Sequence, residues 1–289
     1  MQRKLHPLEG IVAICALVLV LFVSVGFAQA DEVKKIALRS SSALVQDAAT
    51  GEVVIGKNAD AVVPIASITK LMTAMVILDY GLDLDEEILL SREDAVGMKG
   101  SRSRLRTGLK LTRGDLLLLA LMSSENRAAA ALGRSFPGGL EAFVDAMNYK
   151  AAALDMSDSR FVEPTGLSPA NVSTASDLAK LVRAAHEYPI IREYSTKSGA
   201  TVRVSDGRRM RPLQYGNTNG LVRSKYWDIE LSKTGYISEA GRCLVMHVRL
   251  AEKDLIVVLL DSWGKHSRIG DANRIRKWLE SGAATGRSS

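Results

Sequence analysis

Ser67 and Lys70 are the two residues of this chain whose types and spacing most directly suggest covalent chemistry. They stand in Pro64-Ile65-Ala66-Ser67-Ile68-Thr69-Lys70-Leu71-Met72-Thr73, a segment that reads as the start of a helix running to about Tyr80. Three positions apart on a helix, they share a face, with Cβ atoms about 5–6 Å from one another. A serine hydroxyl attacks poorly until a neighbouring base takes its proton. A lysine desolvated beside another cation is neutral enough to be that base. The same spacing recurs at Ser262 and Lys265, but Gly264 interrupts it after an apolar, strand-like run, so Ser262 reads as a strand-end turn.

Two later segments supply partners. Ser123-Ser124-Glu125-Asn126 lies between two helical segments, and Lys233-Thr234-Gly235 lies on an apolar strand beginning at Leu231. Either is weak alone. In this order, S-x-x-K, S-x-N and K-T-G resemble the motif set of penicillin-binding proteins and class A β-lactamases. The residue types suit acyl transfer. Lys70 takes the Ser67 proton, and Ser124 and Asn126 bridge that amine and a substrate amide. Lys233 offers a cation to a substrate carboxylate and helps keep Lys70 neutral. Thr234 adds a hydroxyl donor, and Gly235 lets substrate approach the strand. The backbone N–H groups of Ser67 and Tyr236 form the expected oxyanion hole.

The elements that must position these groups change character along the chain. Ser42–Asp47 and Glu52–Ile55 read as a hairpin around Ala48-Ala49-Thr50-Gly51. After the Ser67 helix, residues 91–111 form a polar, basic excursion. Helices are expected over Asp115–Met122, Arg127–Leu132, Leu140–Leu154 and, capped by Ser173 or Thr174, Ala175–His186. Thr201–Val204 and Arg208–Arg211 flank Ser205-Asp206-Gly207, a hairpin signal. Three apolar strands follow at Leu231–Tyr236, Cys243–Leu250 and Leu255–Asp261, then a helix over Asp271–Ser281. Strands at both ends around a helical middle imply an α/β (α+β) fold. One antiparallel sheet is expected, covered by the first and last helices, beside a mostly helical lobe. The sheet lobe takes residues 31–66 and 197–281, the helical lobe 67–196, and the site falls in the cleft between them. Residues 282–289 read as a disordered tail.

Composition narrows the classes. Arg3 and Lys4, an apolar run from Ile11 to Phe27 and Ala28-Gln29-Ala30 read as a signal peptide cleaved after Ala30. Without Arg3, Lys4 and Glu9 the formal charge falls from +6 to +5, and no basic run interleaved with aromatics suggests nucleic acid. An anionic polymer such as cell wall suits a basic exported protein, and the stretch from Lys99 to Arg113 is where contact would fall. Cys243 is the one cysteine past the leader, which excludes an internal disulfide, and no Cys/His spacing suggests a metal. His186 and His247 make no Ser-His-Asp system, because no serine sits in a G-x-S-x-G elbow. His186 reads as a helix-end imidazole against the last carbonyls, His247 as strand packing. Glu163-Pro164 lacks the continuation found around the deacylating glutamate of class A β-lactamases and takes a structural role.

The chain resembles the low-molecular-mass penicillin-binding proteins, the serine D-alanyl-D-alanine peptidases, over nearly all its length. The telling segments are 121–129 around Ser124, Phe161-Val162-Glu163-Pro164-Thr165-Gly166-Leu167-Ser168-Pro169, and Leu231-Ser232-Lys233-Thr234-Gly235-Tyr236-Ile237. The resemblance implies a β-lactamase/transpeptidase-like fold and a penicillin-sensitive periplasmic monomer, soluble or peripherally associated, needing no cofactor. It implies an endopeptidase that cuts D-alanyl to meso-diaminopimelyl cross-links in peptidoglycan. A carboxypeptidase trimming pentapeptide stems is the alternative, and a β-lactamase or a non-catalytic β-lactam sensor is a further reading.

Overall fold

Runs such as Leu244-Val245-Met246 and Leu255–Leu260 are apolar at every position, a pattern that suits strands buried on both faces. The computed structural model, which describes residues 36–95 and 103–282, gives them that setting. The expected leader (1–30), residues 96–102 of the basic excursion and the tail from 283 lie outside the described residues.

In chain order, β1 (Ser40–Asp47) and β2 (Val53–Lys57) form the first hairpin, and β3 (Val63–Pro64) leads through a tight turn at Ala66–Ile68 into α1 (Thr69–Asp79). Next come β4 (Glu87–Leu89), β5 (Lys110–Thr112), α2 (Arg113–Met122), α3 (Asn126–Arg134) and α4 (Gly139–Ala153). They are followed by β6 (Val172–Ser173), α5 (Ala175–His186) and α6 (Pro189–Thr196). The chain closes with β7 (Gly199–Ser205), β8 (Met210–Gly216), β9 (Asp228–Ile237), β10 (Gly241–Leu250), β11 (Lys253–Ser262) and α7 (Ser267–Glu280).

The main sheet runs β2-β1-β11-β10-β9 and is antiparallel throughout. Its first and last strands lie side by side, Ser40 opposite Ser262 and Asp47 opposite Leu255. On one face Ala43, Val45, Leu244, Met246, Val257 and Leu259 pack on Ala272, Ile275 and Leu279 of α7. On the other, Leu44, Val245, Val258 and Leu260 join the large helical core with Leu178, Leu181 and Val182 of α5. The sheet is therefore covered by α5 and α7, and not by the Ser67 helix. That helix, α1, packs among α2, α4 and α5 and is buried from Thr69 to Ile77. Its polar residues Thr69, Lys70 and Thr73 are buried along with its apolar ones, as expected of a helix enclosed on every side.

A second sheet, β4-β5-β7-β8, holds the late hairpin, with Ser205 of β7 opposite Lys110 of β5. The hairpin thus stands apart from the main sheet. A third pairing, Val63 with Ser173 and Pro64 with Val172, ties the residues before Ser67 to the segment before α5. Cys243 is free and buried, and Ser262 sits at the end of β11, its hydroxyl 2.7 Å from that of Ser40.

Candidate active site

The nucleophile candidate lies on a turn, one step before the long helix. Ala66 holds a left-handed backbone with φ of 47°, and the Thr69 hydroxyl donates to its carbonyl at 2.8 Å. One helical turn later Lys70 is fully buried, and its Nζ reaches the Ser67 Oγ at 2.9 Å and the Asn126 Oδ1 at 2.7 Å. It also donates to the Thr165 carbonyl. Burial drives the Lys70 amine down to about 7, against the opposing carboxylates of Glu163 and Glu125. A neutral amine has two N–H donors and one lone pair. With the donors held by Asn126 and Thr165, the lone pair is left facing the Ser67 hydroxyl.

The second motif sits where α2 gives way to α3. Ser124 takes a left-handed φ of 59°, and Glu125 caps α3 by accepting from the Arg127 N–H at 3.3 Å. This break turns Ser124 and Asn126 in different directions. Asn126 holds Lys70, whereas the Ser124 hydroxyl accepts from Lys233 Nζ at 2.8 Å. Sequence alone suggests that both bridge Lys70; the structure assigns one to each lysine.

Lys233, on β9, is 1% exposed, so it is no solvated strand-end charge. Burial first, then the nearby Lys70 and Arg268, push its amine well below the ordinary range for lysine. Arg268 of α7, which motif reading misses, donates to the carbonyls of Gly235 and Cys243 at 2.9 and 3.3 Å and pins this end of β9. The Thr234 hydroxyl donates to Thr218 at 2.6 Å. β9 is an edge strand of the main sheet, and beyond its free edge lies the nucleophile's turn. A Cβ on Gly235 would stand 3.0 Å from the Ile65 carbonyl oxygen and 3.1 Å from the Ser67 nitrogen. The nucleophile's own turn thus crowds this position before any substrate enters. Tyr236, the next residue, is exposed, with the Arg242 guanidinium over its ring at 4.5 Å.

Behind Ser67 lies a loop organised by Glu163. Its carboxylate accepts from the N–H of Thr165 and of Gly166, both at 2.6 Å, from the Thr165 hydroxyl at 2.6 Å and from Asn171 Nδ2 at 3.0 Å. Asn171, fully buried, also donates to Thr69 Oγ1 at 3.1 Å, and its carbonyl accepts from the Ile65 N–H at 3.1 Å. Thr73 of α1 donates to the Pro164 carbonyl at 2.7 Å. The loop therefore aims the Thr165 carbonyl at Lys70. Replacing Glu163 by glutamine should cost about 1–3 kcal/mol, since one amide oxygen cannot accept from all these donors. It should also shift the acid limb of Ser67 acylation to lower pH, because Glu163 raises the Lys70 pKa. Denaturant unfolding and a pH–rate profile check the two effects.

His186 and His247 stand apart from this cluster. Their rings stack at 3.8 Å, and His186 Nε2 and His247 Nδ1 lie 2.7 and 3.3 Å from one oxygen of Glu230. Neither hydrogen-bonds a serine among the described residues. His186 pairs with Glu230 through its ring, which goes beyond the helix-end contact expected.

Comparison with known proteins follows the same lines. A family model described as D-alanyl-D-alanine carboxypeptidase, peptidase S11, matches residues 28–264. The D-alanyl-D-alanine endopeptidase of Pseudomonas aeruginosa is 51% identical over 248 residues, covering 86% of this chain and 79% of that one. That of Escherichia coli is 47% identical over 245 residues, covering 85% and 78%. The crystal structure of the Streptomyces K15 DD-transpeptidase superposes with a TM-score of 0.80 at 27% identity, over 86% of this chain and 99% of the other. With Ser67, Lys70, Ser124, Asn126 and Lys233 converging within one matched span, the chain belongs to the S11 family of serine D-alanyl-D-alanine peptidases.

Proposed function

We propose that the protein is a penicillin-sensitive D-alanyl-D-alanine endopeptidase that cleaves peptidoglycan cross-links through an acyl-enzyme on Ser67. The observation that carries the chemistry is the buried Lys70 amine, 2.9 Å from the Ser67 hydroxyl and with a pKa of about 7. The Ser67 Oγ attacks the D-alanyl carbonyl carbon as its proton passes to Lys70 Nζ. The backbone N–H groups of Ser67 and Tyr236 hold the resulting oxyanion. Collapse expels the amine of the next residue, which takes the proton that Lys70 received from Ser67, while Asn126 holds the Lys70 amine in place. Water then releases the acyl group. Lys233 and Thr234 hold the carboxylate beyond the scissile bond, and that anion restores the proton that burial makes costly on Lys233.

Glu163 supports penicillin sensitivity over β-lactamase activity. Its carboxylate is filled by donors from its own loop, so it is not available to activate a deacylating water. The leader-like N-terminus supports export to the periplasm. Among the described residues no helix is long and apolar enough to cross a membrane. The endopeptidase assignment follows the two relatives near half identity, whereas the family description names carboxypeptidases.

Purified protein should cleave cross-linked muropeptide dimers to monomers, and Ser67→Ala should neither do so nor take up fluorescent penicillin. Release of free D-alanine from pentapeptide monomers with dimers left intact would make the enzyme a carboxypeptidase. Penicillin label persisting on Ser67→Ala would defeat the site itself.

A further inference from the structure

Three side chains outside the Ser67 cluster are gathered as metal ligands are. His186 ends α5, Glu230 lies on β9 and His247 on β10. The first two stand 44 positions apart, so no run of sequence displays the set. A β-bulge brings them together. His247 pairs with Leu231 and Val248 with Ile229, which leaves Glu230 as the extra residue of β9. Ile229 packs on the α7 side of the sheet and Leu231 on the α5 side. A bulge re-aims the side chain it carries, and Glu230 turns to meet His186 of α5.

One carboxylate oxygen, Glu230 Oε2, lies 2.7 Å from His186 Nε2 and 3.3 Å from His247 Nδ1. The three ligand atoms fall within 4.8 Å of one another, the one such grouping among the described residues. In a tetrahedral zinc site with bonds of about 2.0–2.2 Å, neighbouring donors stand about 3.3 Å apart. The other oxygen, Oε1, is 3.5 Å from Arg249, an outer contact of the kind that orients a ligating carboxylate. Asp254 balances that guanidinium at 2.9 Å. His247 is 5% exposed, and its Nδ1 has no hydrogen-bond partner although Glu230 is near. A buried ring nitrogen without a partner asks for an explanation, and an ion supplies one. Burial first, then His186, lowers the His247 pKa, which keeps the ring neutral as a ligand must be. The two rings stack with only 11° between their planes, so one must tilt to share an ion. His186, at a helix end and with its side chain 22% exposed, has the room to do so. All three line a cavity of about 700 Å³, where Glu193, Glu230 and Asp254 outnumber Arg192 and Arg249.

We propose that His186, Glu230 and His247 form a binding site for a divalent transition-metal ion, zinc foremost, with water completing the coordination. Two imidazoles and one carboxylate are a donor set that zinc takes, whereas magnesium and calcium call for oxygen throughout. The ion displaces the proton held between His186 Nε2 and Glu230, and the imidazole keeps its other N–H. Once bound, it clasps the end of α5 to β9 three residues before Lys233. The clasp steadies the strand that carries K-T-G and takes no part in acyl transfer, so it does not depend on which peptide bond the enzyme cuts.

Zinc chloride titrated calorimetrically into chelator-treated protein should bind as one ion per chain and raise the melting temperature. His186→Ala and Glu230→Gln should each weaken binding at least about 10- to 100-fold, since even outer contacts of a metal site are worth that much. The exposed His266 is the control, and His266→Ala should bind as the parent does. Uptake of fluorescent penicillin reports that each variant is folded, because none of these residues belongs to the acyl-transfer cluster. Cobalt(II) in place of zinc should give the strong visible absorption of a tetrahedral site, and His186→Ala should remove it. An absence of binding, binding that survives both His186→Ala and Glu230→Gln, or a loss confined to His266→Ala would overturn the site. Should a variant fail to take up penicillin, the cobalt spectrum of the parent decides alone, and the pale bands of a six-coordinate ion would overturn the proposal.

Discussion

A Lys70→Met protein should fold and yet be acylated by penicillin about 10²- to 10⁴-fold more slowly than the parent, the range expected for loss of a general base. Methionine matches the length and apolar stem of the lysine in its fully buried slot, so packing survives. What is lost is the lone pair facing the Ser67 hydroxyl. Asn126 Oδ1 and the Thr165 carbonyl also lose their donor. The variant should carry a second signature. In the parent, the Lys70 amine has a pKa of about 7 when folded, against 10.5 as the ordinary value. Between these values the unfolded chain binds the proton and the folded one does not. Folding stability should therefore rise with pH across that window, and Lys70→Met should abolish this increment. Stopped-flow acylation and denaturant unfolding between pH 7 and 10 measure both. Acylation within about tenfold of the parent would remove Lys70 as the base.

Gly166→Ala should be the most damaging glycine-to-alanine change among the described residues. Gly166 has φ of +76°, and a Cβ there would fall 1.9 Å from the Ala66 carbonyl oxygen and 2.8 Å from the Ser67 nitrogen. Backbone on both sides must move, since no flexible side chain can yield. The left-handed conformation adds strain for any residue with a Cβ. A loss of about 3–5 kcal/mol is expected, beyond the ordinary range for point changes. At about 2–4 °C per kcal/mol the melting temperature should fall by roughly 6–20 °C. Because the same loop presents the Thr165 carbonyl to Lys70, any folded remainder should acylate slowly. Gly235→Ala is the informative contrast. Its closest contacts are near 3.0 Å, so the turn needs to give only slightly. It should impair acylation more than stability, with differential scanning calorimetry and penicillin uptake reporting each.

The contrast between those glycines illustrates what the sequence made legible. The candidate acyl-transfer residues stood out because the chemistry calls for their types and spacing, and the tight turn leading into α1 keeps Ser67 within reach of Lys70. The pairing of Ser124 with Lys233 spans the whole helical middle of the chain, so no local pattern encodes it. The Thr165 carbonyl, the key acceptor behind Lys70, is a backbone atom and leaves no mark in residue type. Asn171 and Arg268 belong to none of the motifs, and only the fold places them beside the site. The same logic holds for the elements. Tyr188-Pro189-Ile190 resembles a break, yet proline at the first position of a helix starts α6. The period-two pattern of residues 201–211 specifies a hairpin, but not which sheet receives it. The apolar surface of α1 announces burial without naming its neighbours, and those turned out to be helices.

Attack by Ser67 requires a lysine that is neutral when it meets the serine hydroxyl. The direct measurement is the second-order rate constant for acylation of Ser67 by a penicillin, followed from pH 5 to 9 with intact-mass confirmation of the adduct. The predicted profile rises tenfold per pH unit on its acid side and bends near pH 7, where Lys70 gives up its proton. A rate that stays flat across that range, or falls as the amine loses its charge, would contradict the mechanism.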